Sequence, residues 1–231
     1  MSQALSARMV LAVLAFASPV ASFAATGPTI TQNLNNSSGT PPGLPNYGIA
    51  PSSIFIVTGS DLADPGVPVL QSSAAPGLPL TLNGASITVV VNGVTTHPAL
   101  YYTSPTQLAA VLPAATPVGT GTLTVTYDGA NSNAAVLQVV ASAVGINHFN
   151  QIPIPSGTFN PNVDIGVATD NATGALLTFT NSGVPGGIIV LWATGLGADP
   201  ADSDTTYSSA PHAVNTPMQI YVGGVQATIL Y

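Results

Sequence analysis

Glycine and proline interrupt this chain every few residues. It carries 23 glycines and 21 prolines among 231 residues, and no stretch between them keeps a convincing helical period. In a helix interior Gly costs about 1 kcal/mol and Pro about 3 kcal/mol relative to Ala, so helices are disfavoured throughout. What recurs instead is two-residue alternation. In "GTLTVTYDG" Leu123, Val125 and Tyr127 fall on one face and Thr122, Thr124 and Thr126 on the other. That is the pattern of a half-buried strand ending in a turn. Ile87, Val89 and Val91 alternate with Ser86, Thr88 and Val90 ahead of Asn92-Gly93. Asn-Gly and Asp-Gly accept positive φ at both turn positions and favour the type I′ hairpin. Short strands with frequent turn signals predict an all-β, antiparallel sandwich.

The N-terminus has a different character. Arg8 precedes the apolar run 9–17, and "SPVASFAAT" follows. A charged start, a short apolar segment and small residues at Ser22 and Ala24 predict a signal peptide over 1–24, cleaved after Ala24. The run is too short for a hydrocarbon core of about 30 Å. Secretion is the expectation, with no transmembrane segment left after cleavage.

Removing that segment removes the only basic side chain apart from three histidines. All eight acids are aspartates: Asp61, Asp64, Asp128, Asp164, Asp170, Asp199, Asp202 and Asp204. Without Lys or Arg, no lysine or arginine ion pair can form. Nucleic acid is excluded as a partner, because binding it requires cations that displace phosphate counterions. Anionic lipid surfaces are disfavoured for the same reason. Stability has to come from apolar burial and backbone hydrogen bonds. Cysteine is absent and 46% of the residues are hydrophobic, which permits a core without disulfides.

Two stretches resemble each other. "SIFIVTGSDLAD", 53–64, parallels "IIVLWATGLGAD", 188–199, and "VVVNGV" parallels "IYVGGV" at nearly the same offset. The expectation is therefore two tandem Ig-like sandwich units, 47–142 and 143–231, preceded by a flexible polar leader over 25–46. After the position matching Tyr231, the first unit continues with "TQLAAVLP", "TGTLTVTYDG" and "NAAVLQVV". The second unit is expected to lack these closing strands and to belong to a longer gene product. The segments "VDIGVATD" and "ALLTFT" within 163–180 are expected to form a hairpin of their own. An unfilled sheet edge is a place for self-association.

The order "SIFIVTGSDL", "ITVVVNGVTTHPALYYTSPTQLAAVLP", "GTLTVTYDGANSNAAVLQV" resembles an uncharacterised β-domain of secreted acidobacterial proteins, the Solibacter-type C-terminal domain. "GVPGGIIVLWATGLG" and "MQIYVGGVQATILY" are similar to the later part of that family. The family in turn resembles IPT/TIG immunoglobulin-like domains. The resemblance covers most of 47–231 and implies an Ig-like fold and an extracellular location. It supplies no catalytic residues. Typical members continue past the position of Tyr231 with a Gly- and Pro-rich turn and a final strand.

Candidate chemistry is sparse. Asp199, Asp202 and Asp204 crowd "GADPADSDTTYSSAP", where their carboxylates are candidate calcium ligands with Ser203 or Thr205 beside them. The plainer reading is a solvated acidic loop. His97, His148 and His212 lie far apart and lack zinc-ligand spacing. There is no G-x-S-x-G elbow and no Glu, so no catalytic residues and no other cofactor are expected. Trp192 lies in an apolar run and is expected in the core, the alternative being an exposed ring that stacks on sugars. Tyr101, Tyr102, Tyr127, Tyr207, Tyr221 and Tyr231 are expected to pack with their hydroxyls at the edge. Asn35, Asn36 and Asn171 match N-x-[ST] without a functional implication. The expected function is a secreted, non-catalytic structural or adhesive module at the cell envelope or extracellular matrix. Its expected partners are protein or neutral polysaccharide at the cell surface. The alternative is a carbohydrate-binding accessory module of a larger secreted protein.

Overall fold

A computed structural model describes residues 27–71, 77–150, 164–178, 180–199, 202–206, 213 and 215–230. The segment 1–24 expected to be a signal peptide, Tyr207, His212 and Tyr231 lie outside the described residues. The described residues contain strands and turns and no helix.

Residues 29–139 form two facing antiparallel sheets. In chain order the strands are β1 (Thr29–Asn35), β2 (Ile54–Ser60), β3 (Val69–Leu70), β4 (Thr81–Leu82), β5 (Ala85–Val91) and β6 (Val94–Thr96). They continue with β7 (Ala99–Thr103), β8 (Gln107–Val111), β9 (Gly119–Tyr127), β10 (Ala130–Asn131) and β11 (Ala135–Val139). The first sheet has the order β1-β2-β8-β7-β3. The second is built on β9 and β5, with β10 and β11 on the free side of β9 and β4 and β6 on the free side of β5.

The alternation read from the sequence decides what lies between the sheets. Ala85, Ile87, Val89 and Val91 of β5 are buried, as are Leu123 and Val125 of β9. Leu137 and Val139 of β11 join them from the same sheet, and Phe55 and Val57 of β2, Leu100 of β7 and Leu108 and Ala110 of β8 face them from the other in one core. Each fully buried Val, Leu or Phe contributes roughly 1.5–3 kcal/mol relative to exposure. Three two-residue turns join neighbouring strands: Asn83-Gly84, Asn92-Gly93 and Asp128-Gly129. All six residues have positive φ, between 48° and 79°, as the type I′ turn requires.

The leader expectation fails over 29–35. This segment is the edge strand β1, paired antiparallel with β2, and Ile30, Asn33 and Asn35 are buried. "TITQNLN" reads as polar, but Ile30 reaches the core and the asparagines find backbone partners. The sandwich therefore starts well before residue 47.

The chain beyond Ala143 is built differently. Its strands are β12 (Gly145–Ile146), β13 (His148–Asn150), β14 (Asp164–Gly166), β15 (Ala168–Asp170), β16 (Ile189–Leu191), β17 (Ala193–Thr194), β18 (Tyr221–Val222) and β19 (Val225–Gln226). They form the pairs β12–β17, β13–β14, β15–β16 and β18–β19. The expected hairpin within 163–180 is present: Thr169 bridges Leu176, and Leu177 N–H donates to Ala168 C=O at 2.8 Å. Among the described residues, no apolar side chain after Ala143 is buried. This lobe thus shows no second packed core among the described residues.

The resemblance between 53–64 and 188–199 has a physical basis. Gly59 and Gly195 close the two Thr-Gly pairs. A Cβ on Gly59 would sit 1.9 Å from Thr29 O, and one on Gly195 would sit 2.0 Å from Ala143 O. Each glycine admits a neighbouring backbone that no side chain would allow. The hairpin turns also match, since Gly223-Gly224 has φ of 58° and 83°. The surroundings differ: β2 lies between β1 and β8, whereas among the described residues β17 pairs with β12 alone. The two copies also touch, because Ile54 N–H donates to Thr194 Oγ1 at 3.0 Å.

Candidate functional site

The acidic loop lies against the sandwich. Asp204 Oδ1 accepts the Ala114 N–H at 2.7 Å, and Leu78 N–H donates to Thr205 C=O at 2.8 Å. Ser203 Oγ accepts the N–H groups of Thr205 and Thr206, each at 3.2 Å. Asp199 is buried, and its C=O accepts the Asp202 N–H at 3.0 Å. One of the three candidate calcium ligands is thus already bonded to the sandwich. Among the described residues, no group of three or more His, Asp or Glu side chains is placed to hold a metal ion. A capping role for Asp204 is not readable from its neighbours in sequence, because Ala114 lies 90 residues away.

The lobe beyond Ala143 is organised around a three-way strand junction. Asn147 N–H donates to Trp192 C=O at 2.7 Å, Trp192 N–H to Val167 C=O at 3.1 Å, and Val167 N–H to Asn147 C=O at 2.6 Å. The three bonds form a closed ring, and β12–β17, β13–β14 and β15–β16 extend from it. Trp192 sits at this junction with 52% of its surface exposed. Its indole Nε1–H donates to Thr169 Oγ1 at 3.3 Å. The core expectation for Trp192 is overturned. The run "IIVLWATG" belongs to short strands with no buried apolar side chain of this lobe against them among the described residues, so its apolar composition did not bring burial. Ile146, Ile189, Tyr221 and Val225 are exposed as well.

The outer face of the second sheet is uncharged. Its cross-strand pairs include Ser86–Thr126 and Thr88–Thr124 between β5 and β9, and Thr120–Gln138 between β9 and β11. Thr120 Oγ1 donates to Gln138 Oε1 at 2.7 Å, and Thr126 Oγ1 to Asn131 Oδ1 at 2.8 Å. The outward positions of β5 and β9 carry hydroxyl or apolar side chains only.

Among the described residues, two groups titrate away from their ordinary values. The Asp170 carboxyl is held below its usual range, first by the Thr173 hydroxyl and then by the Thr173 N–H, against an opposing desolvation, with the Ala172 N–H adding a lesser share. All three donors reach Asp170 Oδ1, at 2.8, 2.8 and 3.1 Å respectively, which closes the turn between β15 and Ala175. The Tyr127 hydroxyl is pushed up, first by partial burial and then by the negative charges of Asp64, Asp128 and Asp61. Asp128 follows Tyr127 in the chain, whereas Asp61 and Asp64 come from the segment after β2, and their approach to Tyr127 has no signature in the sequence.

His97 is exposed, with its Nδ1 3.5 Å from Thr88 Oγ1, and His148 lies on β13 in the other lobe. Tyr101 and Tyr102 are half-buried on β7, while Tyr221 is exposed on β18. Sequence reasoning also missed the asparagines that join the two sheets. Asn133 bonds both the N–H and the C=O of Ile30, and Asn33 Nδ2 donates to Val136 C=O at 2.9 Å. Their only sequence signal is a concentration of Asn in segments that otherwise read as loop.

This geometry defines an all-β protein with a β-sandwich and a smaller lobe of short strand pairs. No helix among the described residues is long and apolar enough to cross a membrane. No family model matches the chain, and no curated protein matches it either.

Proposed function

We propose that this protein is a secreted, non-catalytic structural or adhesive module at the cell envelope or in the extracellular matrix. The observation that carries the reading is the neutral, hydroxyl-rich outer face of the second sheet, set on a chain with no Lys or Arg after Arg8. Such a face hydrates without fixed charge. It suits neutral hydrated polymers or other copies of the chain, and it gives little purchase to polyanions. The signal-like segment 1–24 supports the location. The likeness to the Solibacter-type domain, and through it to IPT/TIG domains, supports an Ig-like role without catalysis.

A second reading is favoured by one specific observation. Trp192 is half-exposed and oriented by a hydrogen bond, which suits a carbohydrate-binding accessory module. The test is direct. The secreted chain is incubated with insoluble cellulose, chitin and xylan, and its self-association is followed by light scattering. Retention on a polymer, or reversible oligomers, is expected. Absence of both would remove the adhesive reading.

A further inference from the structure

We propose that Trp192 is the stacking platform of a binding site for a neutral polysaccharide, engaging the C–H face of a pyranose ring. The proposal rests on the carbohydrate-binding reading above and names the site and the ligand class.

The first argument is preorganisation. The Trp192 backbone is locked in the ring of hydrogen bonds with Asn147 and Val167. Its side chain is anchored through Nε1 to Thr169 Oγ1. A ring that is fixed before binding loses little entropy when a ligand settles on it. An exposed indole held in this way presents an apolar surface beside polar groups.

The second argument is the polar rim. Indole N–H only donates, so Thr169 Oγ1 is the acceptor in that bond. The Thr169 hydroxyl hydrogen is left to donate to an oxygen of the ligand. An apolar ring with a hydroxyl donor beside it matches the two faces of a sugar, one lined with C–H groups and the other edged with hydroxyls.

The third argument is charge. No Asp, Glu, Lys, Arg or His occurs between Asn171 and Gly197. Asp170, the nearest carboxylate along β15, has its Oδ1 occupied by Thr173 and Ala172. No lysine or arginine follows Arg8 to recognise a uronate, a sulfate or a phosphate. A neutral glycan requires no such group.

The chain contains one tryptophan, so its indole emission reports on this site alone. The secreted full chain is titrated with hydroxyethylcellulose, laminarin, xyloglucan and galactomannan, with polygalacturonate as the charged control. A saturable blue shift with at least one neutral polymer is expected, insensitive to added salt and absent with polygalacturonate. Trp192→Ala is expected to weaken retention on that polymer by about tenfold or more, the scale of an aromatic anchor. Trp192→Tyr is expected to restore part of it, and Thr169→Val to weaken it several-fold. Tyr and Val at these positions keep the local shape and test the proposal should the alanine variant fail to fold. If the wild-type chain binds a polymer with unchanged emission and Trp192→Tyr and Thr169→Val bind equally well, the site is wrong and the carbohydrate reading stands. If no polymer is bound at all, both fall. A blue shift that depends on protein concentration alone would assign the ring to a contact between copies and overturn the proposal.

Discussion

Asn133 bonds both backbone polar groups of Ile30: its Oδ1 accepts the Ile30 N–H at 2.8 Å, and its Nδ2 donates to the Ile30 C=O at 3.1 Å. Ile30 belongs to β1, at the edge of the first sheet, and Asn133 to the connection between β10 and β11 in the second. One amide side chain thus does for Ile30 what a neighbouring strand would do. Asn33 and Asn35 extend the closure by donating to Val136 C=O and Ala143 C=O, each at 2.9 Å. The edge that β1 would otherwise offer to another chain is partly satisfied from within the fold.

Asn133→Ala is therefore expected to destabilise the sandwich by roughly 2 kcal/mol, since it orphans two part-buried backbone groups. Asn133→Asp keeps an acceptor for Ile30 N–H but sets a carboxylate oxygen against Ile30 C=O, and should also destabilise. Urea denaturation measures both. An unchanged midpoint for the alanine variant would show that water replaces the amide without loss.

Gly59→Ala is expected to displace β1, because the new Cβ would meet Thr29 O at 1.9 Å. A loss above about 2 kcal/mol is expected, as for a steric conflict in a packed sheet. Hydrogen exchange at 30–35 should rise selectively. Gly93→Ala is the comparison: it meets no atom within 4 Å but has φ of 79°. It should lose only the cost of a positive φ, about 1–2 kcal/mol.

The Asp170 turn is expected to weaken in acid. Its folded pKa lies below the ordinary 3.8, so the carboxylate's contribution is fully present above 3.8. That contribution is lost as the pH falls through the lower folded value. Thr173→Val removes the largest cause and should move the Asp170 titration up towards 3.8, followed by NMR of its carboxyl carbon. A titration unchanged in the variant would remove the hydroxyl as the cause.

Asp204→Ala is expected to lower stability by roughly 1–2 kcal/mol, because Ala114 N–H loses a charged acceptor. Millimolar calcium is expected to leave the melting temperature of the wild-type chain unchanged, since one Asp204 oxygen is already bonded. A clear upward shift with calcium would instead support metal binding by Asp199, Asp202 and Asp204.

Salt is expected to matter little. With no Lys or Arg after Arg8, there are no lysine or arginine ion pairs to screen. The melting temperature should stay within roughly 2–4 °C between low and high ionic strength, the span that 1 kcal/mol represents at this size. A large fall would point to a stabilising electrostatic term that the composition does not provide.

Local rules carried the sandwich well. The alternation at 85–91 and 119–127 placed Ile87, Val89, Leu123 and Val125 inside, and the Asn-Gly and Asp-Gly pairs turned as expected. The same rules failed for Trp192. Its apolar run says that the strand can be buried, and only the presence of a second layer decides whether it is. They failed for β1 because its asparagines look like loop residues until their partners are known.

The chain by itself determined the strand character, the hairpin turns, the shared Thr-Gly motif and the absence of stabilising cations, because each depends on residue type or on neighbours two or three positions apart. The tertiary structure alone decided that Asn133 meets Ile30 across 103 residues, that Asp204 caps Ala114, and that Trp192 stays half in solvent. Those outcomes depend on which distant backbones come within hydrogen-bond reach and on whether an apolar face finds another to cover it. Period and composition do not encode either.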